Sequence, residues 1–405
     1  MASLVIDNLS QVATPRGGAP MRGSDLGDVT VVENAAIAIH DGRIAAIGPR
    51  DEVLRDHDGF PVHDAGGRAA IPGLVDCHTH AVFGGDRVEE FDLRSRGAAY
   101  EEIHAAGGGI GASVRGTRLA AKDGRLGEIL DRHLAWMAAS GTTTAEVKSG
   151  YGLDRDTELA MLDAARAPHA IDVVPTFLGA HAVGPEWDDA DAYLDFVIAE
   201  VLPEAAKRAE AADVFLERGA FDAGQAERYL RAAAEHGLAL RLHADQFSEG
   251  GGLELAVRLG ARSADHLEAT GTDGARLLAE SDVAAVLLPA CIVMLDLPRP
   301  PARELIDRGG IVALATDFNP GSAFCESLPL VMSLACMQLR MSPAEALSAS
   351  TANAAWVLGR SDRVGAIAPG YDADIAVIDA DDWRHVAYHL GGRVVVETYK
   401  RGERL

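Results

Sequence analysis

No apolar run in this chain of 405 residues is long enough to span a membrane, which takes ~20 consecutive apolar residues in a helix. The opening MASLVIDNLSQ has neither a basic start nor a continuous apolar stretch. No secretory leader is read there, and the expected compartment is the cytoplasm. Cysteine is scarce: Cys77, Cys291, Cys325 and Cys336 are all there are. None stands in a CxxC or other metal-like spacing, and so few in a chain this large argue against a disulfide framework. Cations are also short, with 37 Lys and Arg against 61 Asp and Glu, a net charge of −24. Such a surface disfavours nucleic acid and anionic membranes. An anionic substrate would need cations supplied by its own site. Missing too is a GxGxxG turn after a first strand, which counts against a doubly wound nucleotide-binding sheet.

What is present is a repeating middle between strand-rich ends. In NAAIAIHDGRIAAIG (34–48) two alternating apolar runs flank Asp41-Gly42, a hairpin signal. DADIAVID and RVVVETY, within 372–398, read as two more strands. The two ends, 1–70 and 363–405, are expected to pair into a small β-sandwich beside a body of 71–362. In that body, β-branched apolar runs fall at 71–78, 142–148, 172–180, 213–220, 239–244, 263–267, 283–289 and 311–316. Helical segments lie between them. The clearest are 191–210 and 223–237, the second ending in a glycine suited to a C-cap. Eight strands alternating with helices predict an α/β fold, a (β/α)8 TIM barrel. The glycine-rich AAGGGIGASVRG (105–116) reads as a mobile loop rather than a phosphate cradle.

The stretch GLVDCHTH (73–80) puts His78 and His80 two positions apart after an apolar run. Side chains at i and i+2 share a face of a strand, so both rings can converge on one point. The plain alternative is two histidines hydrogen-bonded in a turn. Barrel chemistry sits at the C-terminal ends of the strands, and polar residues collect there. Strand two runs into Lys148 and Tyr151, strand three ends at His181, and strand five ends in His243 and Gln246. Strand six carries Asp265 and His266, and strand eight ends in Asp317, Asn319 and Ser322. His78, His80, His243 and Asp317 form an N/O ligand set suited to one Zn2+ or Fe ion per subunit. Such an ion acidifies a bound water and polarises a carbonyl. Asp317 can serve as ligand and base together, with His266 placed to polarise the substrate carbonyl.

In this order — HxH, a strand-five His, a strand-six His, a strand-eight Asp — the residues resemble the amidohydrolase superfamily. DCHTHAVFGGDR, KSGYGL, FLGAH, HADQ, SADHLE, ATDFNPGS and YHLGG resemble, in order, the motifs of its imidazolonepropionase family. The resemblance runs from about residue 65 to 400. It implies a (β/α)8 barrel beside a β-sandwich and metal-dependent hydrolysis of 4-imidazolone-5-propanoate to N-formimidoyl-L-glutamate, with a homodimer as the plausible assembly. It implies substrate contacts by Arg87, Tyr151, His181, Gln246, Asn319, Gly321 and Ser322, with Arg87 on the propanoate carboxylate. A guanidinium fork suits that group; without the motif, a surface ion pair with Asp86 or Glu89 would be favoured. Gln246 stands where many deaminases of the superfamily carry glutamate, and an amide cannot shuttle protons. That argues against a purine or pyrimidine deaminase. From the imidazolonepropionase motifs the chain departs at PACIVML (289–295), where a more aromatic stretch is expected as one pocket wall. Lys148 reads as structural. A non-catalytic scaffold would have eroded ligands, and all four are present.

Overall fold

A computed structural model describes residues 3–97 and 108–405. Both chain ends build one seven-stranded mixed sheet. It uses β1 (Ser3–Pro15), β2 (Val29–His40), β3 (Arg43–Pro49), β4 (Val62–Pro72) and, from the far end, Ile375–Ile378, Val395–Lys400 and Glu403–Arg404. The β2–β3 turn is the expected hairpin. Asp41 and Gly42 both take positive φ, 53° and 75°, as a two-residue turn matching strand twist requires.

Between these ends lie eight parallel strands in sequential order: β5 (Leu74–Asp76), β6 (Thr142–Lys148), β7 (Asp172–Ala180), β8 (Ala211–Leu216), β9 (Ala239–Ala244), β10 (Ser263–His266), β11 (Ala284–Leu287) and β12 (Val312–Leu314). Parallel strands covered on both faces read as unbroken apolar runs, and β11 and β12 are buried throughout. The first barrel strand is shorter than the run 71–78. Ile71 and Pro72 stay in the small sheet, paired with Ala376 and Ile375. β5 and β12 share no strand ladder. Their seam is closed just beyond them, where Asp317 N donates to His78 O at 3.0 Å and His80 N donates to Phe318 O at 2.9 Å. The segments carrying candidate ligands are thus the ones that shut the barrel.

The helix Ala223–Glu235 has a capping box, Asp222 with Gln225, and Gly237 follows at φ 80°. Such a cap is worth about 1 kcal/mol. The expected helix 191–210 is instead Ala190–Phe196, a wider π-type turn at Val197–Val201, and Leu202–Ala205. Pro203 accounts for the break, because its ring collides with the carbonyl four residues back and it has no N–H to donate.

The glycine-rich stretch is corrected more strongly. Residues 98–107 lie outside the described part, but Ile110–Lys122 is a helix rather than a loop. Gly116 in it serves packing: a Cβ there would stand 2.5 Å from Gly84 O. The helix therefore presses directly on the loop leading to Arg87. Among the described residues no helix is long and apolar enough to cross a membrane.

Candidate metal centre and active site

His78 and His80 lie just past β5, His243 is in β9, and Asp317 follows β12. Their donor atoms converge. His78 Nε2 and His80 Nε2 stand 3.5 and 3.6 Å from Asp317 Oδ1, and His243 Nε2 is 3.3 Å from His80 Nε2. His78 Nε2 is buried without a hydrogen-bond partner. Burial pushes the imidazoles of His78 and His80 well below their usual range, so their lone pairs stay free of protons. A buried cluster of unprotonated nitrogens facing a carboxylate fits a cation, and three imidazoles with one carboxylate fit zinc or iron. Asp317 has φ 57° and His266 φ 85°, uncommon backbone for such residues and frequent at functional sites.

A buried charged layer aims these rings. His78 Nδ1 donates to Asp265 Oδ2 at 2.6 Å, and His243 Nδ1 lies 3.1 Å from Asp213 Oδ2. The Asp265 carboxylate on Nδ1 sets the His78 tautomer that leaves Nε2 to a cation, and the Asp213 carboxylate stands beside His243 Nδ1. Lys148 Nζ sits 2.7 Å from both Asp213 Oδ2 and Glu146 Oε2. Burial opposes its charge, but the two carboxylates outweigh that and hold its pKa up. Burial likewise opposes ionisation of Asp213, and His243 and Lys148 overcome it. Glu146 also takes Thr176 Oγ1 at 2.5 Å and pairs with the buried Arg241.

The centre opens into a cavity of about 880 Å³. Arg87, Tyr151, His181, Gln246, Asn319, Gly321 and Ser322 all line it, as do His80, His243, His266 and Asp317. His78 lies beneath. Arg87 Nε donates to Ser113 Oγ at 2.9 Å. Among the described residues no carboxylate pairs with it, neither Asp86 nor Glu89. Gly321 is its cradle, since a Cβ there would come within 2.2 Å of Arg87 Nη1. His181 Nδ1 donates to Gly150 O at 2.9 Å, and burial pushes its imidazole down to about 3. The ring is neutral, leaving Nε2 as an acceptor. Burial opposes charge on His266, but the Glu268 carboxylate outweighs it and raises this imidazole well above its usual range. Ser322 Oγ donates to Asp317 Oδ2 at 3.1 Å.

Asn319 faces the cavity with its amide fully used. Nδ2 donates to Asp317 O and Ser322 Oγ, while Oδ1 accepts from Gly321 N and Ser322 N. In this arrangement it shapes the turn and has no bond left for a substrate.

Sequence reading placed Asp265 at a strand end without a role and missed the other residues that aim the site. Asp213, Asp265, Glu146 and Arg241 do so for the histidines. Glu158 pins the Tyr151 loop by accepting from the N–H groups of Gly150, Gly152 and Leu153. One signal was available: Glu146-x-Lys148 and Arg241-x-His243 place charges two apart inside barrel strands, hence on one face.

Comparison with known proteins agrees with this geometry. The Amidohydrolase family matches residues 69–405, and an Imidazolonepropionase-like composite domain of bacteria matches 35–59. The imidazolonepropionase of Rubrobacter xylanophilus is 60% identical, over 99% of this chain and 98% of that one. That of Deinococcus radiodurans is 47% identical over the whole of both. Among solved structures, guanine deaminase from C. acetobutylicum superposes with a TM-score of 0.75 at 14% identity over the full length of each, a likeness of fold. On full-length identity at this level, the chain belongs to the imidazolonepropionase family of the amidohydrolases.

Proposed function

We propose that the chain hydrolyses 4-imidazolone-5-propanoate to N-formimidoyl-L-glutamate in histidine degradation. His78, His80, His243 and Asp317 would hold one Zn2+ or Fe ion per subunit. When bound, that ion supplies Lewis acidity, easing loss of a proton from water and polarising a carbonyl.

The chain's own groups do the rest. Arg87 takes the propanoate carboxylate on its two Nη groups, since Nε is held by Ser113. His181 accepts a ring N–H, and Tyr151, Gln246 and Ser322 complete the walls. Asn319 and Gly321 act by shaping the turn and making room for Arg87. His266, carrying its proton, donates to the carbonyl oxygen as charge develops there. Water oxygen bonds to the ring carbonyl carbon while its proton passes to Asp317. The C–N bond then breaks, and Asp317 returns the proton to the departing nitrogen. Ser322 Oγ holds the Asp317 carboxylate at 3.1 Å, facing the cavity where a proton must be taken and returned.

We divide the chain into a hydrolase body of 71–362 and a small domain of 1–70 with 363–405. The same reading has it acting in the cytoplasm, as a homodimer, on a small carboxylate-bearing molecule.

The observation that carries the proposal is Arg87, unpaired among the described residues and facing the same cavity as Asp317. The test is turnover of freshly generated 4-imidazolone-5-propanoate by metal-loaded protein beside a chelated sample. Chelator-sensitive formation of N-formimidoyl-L-glutamate is expected. No product from a sample of verified metal content would discard this substrate.

A further inference from the structure

Beside the first centre lies a donor set of which the chemistry above uses only His266. β10 ends at His266, and Glu268 follows two residues on. Cys291 opens the helix Pro289–Leu295 after β11. His266 Nδ1 is 3.4 Å from Glu268 Oε1. One donor atom each from His266, Glu268 and Cys291 lie within 4.8 Å of one another. All are buried, at 2%, 2% and 0% exposure. Glu268 Oε2 has no hydrogen-bond partner, and an unsatisfied buried carboxylate oxygen is costly enough to call for one. Cys291 Sγ accepts from Gln246 Nε2 at 3.4 Å. Gln246 and His266 both line the cavity, so the thiol lies one side chain behind its wall.

We propose that His266, Glu268 and Cys291 form a second cation site, for thiophilic divalent ions such as zinc, cobalt or cadmium. One imidazole, one carboxylate and one thiolate suit that class. Bonds of about 2.0–2.3 Å set ligand atoms roughly 3.3–3.8 Å apart, so side-chain shifts of about an ångström close the set. A sulfur–metal bond and a nitrogen–metal bond form, and the Cys291 thiol proton and the His266 proton both leave to water. The site rests on this geometry alone. Its consequence rests on the role of His266 proposed above: an ion held there withdraws His266 from the substrate carbonyl, so excess metal inhibits.

The experiment adds Co2+ to full-length protein already holding one metal ion per chain. The expected result is a near-ultraviolet thiolate-to-cobalt band saturating at one further equivalent, with proton release and falling turnover. The first centre contains no sulfur and cannot produce that band. Cys291→Ser should abolish it while one-equivalent metal uptake persists. Glu268→Gln should keep the band but demand roughly 10-fold more cobalt or beyond, which keeps the proposal testable if the cysteine variant does not fold. A band with undiminished turnover upholds the site and removes His266 from the reaction. No band with cobalt in excess, or one unchanged in Cys291→Ser, overturns the site.

Discussion

Arg87 meets the cavity with Nε engaged by Ser113 and its Nη atoms against Gly321. A hydrogen bond to a charged group is worth about 1.5–3 kcal/mol, so Arg87→Ala should raise KM about 10- to 100-fold. kcat should move far less, because the carboxylate it binds does not react. An unchanged KM would take Arg87 out of substrate capture. Gly321→Ala should raise KM in the same direction, since its methyl would occupy guanidinium space. The pair should be non-additive. Once Arg87 is alanine, the Gly321 methyl has nothing to displace, and KM of the double variant should match that of Arg87→Ala. Additive losses would mean that Gly321 acts on something else, such as the turn that Asn319 ties.

Strand β6 carries a different kind of information. Glu146 and Lys148 point into the barrel, where Lys148 joins Asp213 of β8 and lies 3.9 Å from Asp265 of β10. One ammonium therefore holds together carboxylates from separate strands, two of which aim ligand histidines. Lys148→Met leaves those carboxylates facing each other in a buried site. Breaking a buried ion pair from one side costs about 3–5 kcal/mol, and lost orientation of the rings should weaken metal affinity about 10- to 100-fold. Denaturant unfolding and metal-buffered titration would read the two effects separately. Wild-type values in both would mean the layer is ornamental. Only the Glu146-x-Lys148 spacing could be read from sequence; the partnership of Lys148 with Asp213 and Asp265 could not, because it joins residues 65 or more positions apart. The strands themselves could be read, since burial on both faces leaves continuous apolar runs. The helix Ile110–Lys122 could not: its glycines resemble a loop until Gly84 is seen against Gly116.

At the scale of the molecule, the legible parts were those with a local periodic cause: the hairpin at Asp41-Gly42, the eight strands, and the polar residues at their ends. The donor atoms of His78, His80, His243 and Asp317 converge because a barrel places its strand ends together. The closure of the ring was hidden, because β5 and β12 meet through the ligand segments and not through a strand ladder. Asp76 adds to that seam by accepting from Thr316 Oγ1 at 2.6 Å. A cation on His78, His80 and Asp317 would therefore bridge the first and last strands of the barrel, and binding it should stabilise the whole fold. At a free metal concentration ~1,000 times Kd the gain is about 4 kcal/mol. Unfolding entropy of ~2.1 cal/mol/K per residue over 405 residues converts this to a fall in Tm on the order of 5 °C when a chelator strips the ion. Scans at one fixed rate are needed, because chains of this size commonly unfold irreversibly. Asp317→Asn should start near the lower Tm and lose little more on chelation. A wild-type Tm indifferent to chelator, with metal removal verified, would show that the seam holds without the ion and that the ligands are preorganised by protein contacts alone.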